Sequence, residues 1–178
     1  NIVTLYGTRP SEMMQTFRKI RDALRGDEFT IYFHNMAYDY YFLRRFIFDS
    51  FGKPKKELNT KPHYPIYLKF DNGMIIKDSL ILAQCKLEKW AKDLNVKHQK
   101  AVGSWDYDLI RDQGESFSRS ELHYIENDTL ALVECLDALC VKLSKNISTI
   151  PYTATGIVRD ELREIGRNHG AHNEFLRC

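Results

Sequence analysis

Phe29-Thr30-Ile31-Tyr32-Phe33 is an unbroken run of aromatic and β-branched side chains, and from Tyr40 to Ser50 the apolar residues recur at helical spacing. A buried strand must therefore hand over to a helix across the short turn from Asn35 to Asp39. That order places the chain in the α/β class, where ligands occupy the crevice at the carboxyl ends of the strands. The turn offers the Asn35 amide, the Tyr38 ring and the Asp39 carboxylate together. An amide and a ring suit a nucleotide, and a carboxylate suits a divalent cation. For an isolated N-x-x-x-D the competing reading is a capped helix, which needs no ligand.

A second element far downstream favours the ligand. Ser118 to Lys145 is the longest helical pattern: Ser118-x-x-Glu121 forms a capping box, and Leu122, Ile125, Leu132, Leu136, Leu139 and Leu143 mark its apolar stripe. Tyr124 and Asp128 are four apart and so share one helical face. A carboxylate there can ligate a metal ion, and a phenol one turn away can orient the water or phosphate that the ion holds.

Phe33-His34-Asn35-x-x-Tyr38-Asp39 resembles the second exonuclease motif of family B DNA polymerases, in the form found in protein-primed polymerases of linear phages, viruses and mitochondrial plasmids. Tyr124-Ile125-Glu126-Asn127-Asp128 is similar to their third motif, Y-x-x-x-D, and Lys77-Asp78-Ser79-Leu80 to a D-S-L segment lying between the two. The matches follow the family's order and span roughly positions 29 to 145.

The resemblance implies a ribonuclease H-like mixed sheet with flanking helices, the architecture of DEDD exonucleases, truncated at its N-terminus. Residues 1–146 would form a 3′-to-5′ exonuclease domain without its first strands, and residues 147–178 a connector towards a polymerase domain. It also implies two-metal hydrolysis of the primer-terminal phosphodiester, with two Mg²⁺ (or Mn²⁺) ions in the complete site. Asp39 and Asp128 would be the metal ligands and, with Tyr124, the catalytic residues. Asn35, Tyr38, Ser79 and Leu80 would hold the single-stranded primer terminus. A terminal priming protein is the further partner implied. The family's first motif, D-x-E, occurs nowhere in the chain, and family spacing puts it upstream of Asn1. The fragment alone is accordingly expected to be inactive. The alternatives are a stand-alone DEDD exonuclease or ribonuclease, and a non-catalytic single-strand-binding module.

The remaining sequence fits one soluble domain. With 178 residues, 43% hydrophobic and 28% charged, the chain can bury a core of its own. A net charge of +2 leaves any nucleic-acid footprint to local patches. No apolar run is long enough for a membrane span. The four cysteines lack C-x-x-C spacing and read as reduced thiols of a reducing compartment. Ile2 to Tyr6 reads as a strand and Pro10 to Arg25 as an amphipathic helix with Gly26 at its end. Lys53 to His63 reads as a surface loop, Asp71-Asn72-Gly73 as a hairpin turn, and Lys86 to Leu94 as a short helix with Trp90 on its packed face. Val96 to Tyr107 interleaves lysines with Trp105 and Tyr107, a pattern compatible with a single-strand platform. A new helical run starts at Thr153.

Overall fold

The computed structural model describes residues 2–99, 106, 108–109 and 115–168. The predicted hairpin is present: β3 (Tyr64–Lys69) and β4 (Met74–Asp78) pair antiparallel. Their turn is closed by the Phe70 N–H, which donates to the Met74 carbonyl at 2.9 Å, and by the Asn72 side-chain oxygen, which accepts from the Met74 N–H at 3.1 Å. Gly73 adopts φ 84°, as the left-handed end of a three-residue hairpin loop requires. A Cβ there would also stand 2.9 Å from the Asp27 carbonyl oxygen. The turn is thus packed on the residues that lead into β1 (Phe29–Phe33).

β1 lies parallel to β4, with Phe29 opposite Met74 and Phe33 opposite Asp78. The four-stranded sheet has the order β1-β4-β3-β2. Its outer strand β2 (Lys56–Lys61) corrects the loop expected over Lys53 to His63. Every residue of β2 is exposed, and its register on β3 shifts between Leu58 and Asn59 and again before Lys61. The composition KELNTK is a poor strand on its own, so the ladder offered by β3 decides its conformation. Its lysines and irregular register are what an edge needs to discourage further pairing. Ile2 to Tyr6 corrects a second expectation. These residues form no strand, and Ile2, Val3, Leu5 and Tyr6 are exposed. Composition favours an extended chain, but a strand also needs a neighbour to satisfy its backbone groups.

Helices cover both faces of the sheet. On one, α1 (Pro10–Ala23) and α2 (Met36–Phe51) bring Met14, Met36, Tyr40 and Ile47 onto Leu68, Phe70, Met74 and Ile76, with Phe29, Ile31 and Phe33 packed beside them. On the other, α3 (Leu80–Ala83), α4 (Leu87–Asp93), α5 (Arg119–Leu143) and α6 (Ala154–Asn168) enclose Leu82, Trp90, Ala131, Cys135, Leu136 and Ile150, against which Tyr32 packs. Alternate residues of β1 therefore face opposite layers, which is why its sequence is apolar throughout. Trp90 is a core residue, as its spacing predicts, Met14 of α1 is buried as well, and Cys85, Cys135 and Cys140 are free thiols. Cys178 lies outside the described residues.

Lys77 sits buried in the middle of this second face. Its ammonium lies 5.5 Å from the Tyr32 ring centroid and 5.1 Å from that of Tyr152, whose ring is tilted 37° against that of Tyr67 with centroids 4.6 Å apart. Burial lowers the Lys77 pKa, and the aromatic faces compensate part of the lost hydration. Tyr32 donates its hydroxyl to the Ile147 carbonyl at 3.1 Å. The segment after α5 is thereby held on the sheet. Among the described residues no helix is long and apolar enough to cross a membrane.

Replacing Gly73 by Ala should destabilise the protein by roughly 1–3 kcal/mol, since the new side chain meets both an unfavourable φ and a backbone oxygen. Urea denaturation of Gly73→Ala measures this directly. An unchanged midpoint would contradict the described turn.

Candidate functional site

Because β1 and β4 run parallel and end in register at Phe33 and Asp78, the residues that follow each strand emerge side by side. Asn35 leaves β1 with φ 75° and ψ 53° as the N-cap of α2, yet its side chain makes no capping bond. A left-handed non-glycine residue is uncommon and marks a constrained site. The helix-cap reading thus fails for the Asn35 side chain, whose amide lines a surface cleft instead. Its backbone N–H donates to Asp78 Oδ1 at 3.0 Å, and the Leu80 N–H donates to the same oxygen at 2.9 Å. One buried carboxylate oxygen therefore ties the two strand exits together.

Ser79 is fully buried. Its hydroxyl lies 2.8 Å from the Phe33 carbonyl, to which it can donate, and 3.0 Å from His34 Nδ1. A carbonyl only accepts, so His34 Nε2–H donates to Cys85 O at 3.0 Å. The ring also stacks on Trp90, with centroids 6.0 Å apart. Ser79 thus faces inward within a polar lock, and Leu80 begins α3 half-buried beside it.

Asp39 lies in the first turn of α2, where a negative charge favours the helix dipole. Burial raises its pKa, and the nearby Asp78 charge raises it further. The Asp78 pKa is itself raised by burial, against the lowering effect of N–H donors from Leu80, Asn35 and Met36. Two carboxyl groups here repel each other in a partly desolvated place. A hard cation would relieve that repulsion, and Mg²⁺ needs only one or two protein carboxylates when water and phosphate complete its shell. The donors present suit such an ion.

On α5 the Ser118–Glu121 capping box forms as predicted, with the Ser118 N–H donating to Glu121 Oε2 at 2.8 Å. Tyr124 and Asp128 follow on one face, both half-buried. Ile125, next to Tyr124, and Leu43, one turn after Asp39, line a common cavity of about 570 Å³ together with residues of α1 and the chain before it. Asp39 precedes Leu43 by one helical turn, and Asp128 follows Ile125 by one. Among the described residues no three His, Cys, Asp or Glu side chains gather at a metal-binding spacing. Lys100, Val102, Gly103, Trp105 and Tyr107 of the basic aromatic stretch lie outside the described residues.

Asp78 was visible in the D-S-L segment, but its role depends on the β1–β4 register. Tyr38, Tyr41 and Phe42 form a ring cluster on α2, with Tyr38 edge-on to Phe42 at 5.2 Å and Phe42 edge-on to Tyr41 at 5.6 Å. His63 of the β2–β3 turn and Tyr64 at the start of β3 join Asn35 and these rings around a cleft of about 470 Å³. Helical spacing alone assigns Tyr41 and Phe42 to a face without saying what that face meets.

The family model described as DNA polymerase type B, organellar and viral, matches residues 20–118. The chain belongs to this family. No curated protein matches this type B polymerase sequence. Its fold is similar to phi29 DNA polymerase complexed with single-stranded DNA, with a TM-score of 0.70 at 20% identity over 88% of this chain and 28% of that one. It is similarly close to phi29 DNA polymerase in a ternary complex with primer-template DNA and incoming nucleotides, with a TM-score of 0.67 at 20% identity over 87% and 27% of the two chains. The chain therefore spans about a quarter of the length of these polymerases. The likeness establishes the α/β, ribonuclease H-like fold.

The raised Asp39 pKa has a stability consequence. A carboxyl whose folded pKa exceeds its unfolded one leaves stability intact below the unfolded value and weakens the fold as pH rises through the folded value. Asp39→Asn should therefore raise the urea midpoint at neutral pH in metal-free buffer, and the two proteins should converge in acid. A lower midpoint for the variant at neutral pH would contradict the described surroundings of Asp39.

Proposed function

We propose that this type B polymerase segment carries the 3′-to-5′ proofreading exonuclease, in the protein-primed branch of the family. The observation that carries the reading is the junction at the carboxyl ends of β1 and β4. There Asn35 is left-handed and not spent on capping, Asp39 is held against its charge by burial and Asp78, and the D-S-L segment is locked alongside. Such a crevice is where α/β sheets bind ligands. The phi29 polymerase named above was observed with single-stranded DNA, and the same ligand class is proposed here.

In this reading Asn35 and Tyr38 hold the unpaired terminal nucleotide by amide hydrogen bonding and ring contact. Leu80 supports the sugar or base from the second strand exit, and Ser79 acts through its place in the backbone, since its hydroxyl is turned inward. Asp39 and Asp128 would hold Mg²⁺, or Mn²⁺, which when bound supplies charge stabilisation and a more acidic water. Tyr124 orients that water through its phenol. The connector role of residues 147–178 and the use of a terminal priming protein belong to the same proposal.

The test uses the full-length polymerase containing this segment. Asp39→Ala and Asp128→Ala should each slow excision of a mispaired 3′ end by at least about a hundredfold, with polymerisation retained, because a ligated cation contributes several kcal/mol to the transition state. Tyr124→Phe should be milder, and Asn35→Ala should weaken end capture more than single-turnover cleavage. Full excision by Asp39→Ala would refute the assignment, as would parallel loss of excision and polymerisation in Asp128→Ala.

A further inference from the structure

The ring cluster on α2 exceeds what holding one terminal nucleotide requires. Tyr38, Tyr41 and Phe42 are 65%, 81% and 59% exposed, a costly way to display apolar surface unless something covers it. The same cleft is also lined by the turn between β2 and β3 and by the first residue of β3. His63 stands there at φ 65°, and Tyr64 lines the cleft while the Lys61 ammonium sits 4.0 Å from its ring centroid. That turn lies outside both strand exits and outside every motif read from the sequence.

The charge of this stretch fits a polyanion. β2 carries Lys56 and Lys61 against a single acid, Glu57, which is engaged by the Asn59 amide at 2.9 Å. Lys55 and Lys69 are already paired, with Asp71 and Glu28. An ammonium beside a ring, in one cleft with further rings, matches the chemistry of an unpaired nucleic-acid strand, whose bases stack while its phosphates take the cations. A duplex hides its base faces and does not fit this arrangement.

We propose that Tyr64, with Lys61 and His63, forms a second nucleotide subsite, which takes the base next to the terminal one in an unpaired DNA strand. Tyr64 stacks on that base in the cleft it shares with the α2 rings, and Lys61 meets the adjoining phosphate. Tyr64 and Lys61 are therefore binding residues for strand length rather than for the cleaved bond. The inference rests on the reading of Asn35 and Tyr38 as the end-binding pair.

Binding of 5′-labelled oligothymidylates of increasing length to this chain, by fluorescence anisotropy in the presence of chelator, separates the two ideas. Tyr64→Ala should weaken the longer strands about tenfold and leave the shortest unaffected, whereas Tyr64→Phe should bind like the parent. Lys61→Gln should reduce the slope of log affinity against log salt by about 0.7, the loss of one phosphate contact on a single strand. Asn35→Ala should weaken every length. If Asn35→Ala weakens binding and Tyr64→Ala with an unchanged melting temperature matches the parent at all lengths, the second subsite is overturned and the end-binding reading stands. If the parent binds no single strand, or a duplex of the same sequence competes equally, both are overturned.

Discussion

The parallel pairing of β1 with β4 is the constraint on which the rest of this structure depends. It ends in register at Phe33 and Asp78, and this register alone brings the Asn35 turn beside the D-S-L segment. The closure is then fixed by few bonds. Asp78 Oδ1 takes the Asn35 and Leu80 N–H groups, and Ser79 takes the Phe33 carbonyl through both its backbone N–H and its hydroxyl. Since these groups are buried, leaving any of them unpaired would cost of order 1–3 kcal/mol.

The same strand serves both layers. Lys77 and Asp78 are neighbours whose side chains leave opposite faces of β4. One enters a nest of tyrosines that secures the chain after α5, and the other organises the candidate site. Burying an amine and a carboxylate in succession is costly, and burial shifts each pKa towards its neutral form. The compensation differs by face: aromatic rings for the lysine, backbone donors for the aspartate. Ile150 and Ile157 join the same apolar cluster as Trp90 and Cys135, so packing continues across position 146 into α6.

Polar groups at the site also divide by purpose. Ser79 looks like a ligand residue in the sequence, yet its hydroxyl is turned inward onto Phe33 O and the His34 ring. Asn35, which looks like a cap, is not spent on capping. Local sequence assigns a side chain its capabilities, whereas the fold decides which of them are already used.

Much was legible in one dimension. The strand-to-helix switch at Asn35, the Asp71-Asn72-Gly73 hairpin, the Ser118–Glu121 box and the packed face of Trp90 all follow from local periodicity, turn chemistry and capping, which act over a few residues. Two elements were misread for one reason. Lys56 to Lys61 became a strand because β3 lies beside it, whereas Ile2 to Tyr6 has no strand paired with it among the described residues. Strand formation is a property of pairs, and pairing partners are set by tertiary structure. The candidate site divides likewise: the sequence by itself determined the chemistry available at Asn35, Tyr38, Asp39, Tyr124 and Asp128. Only the tertiary structure decided that Asp78 would raise the pKa of Asp39, that Ser79 would turn inward, and that Tyr64 would line one cleft with the α2 rings, because each depends on distances between residues remote in the chain.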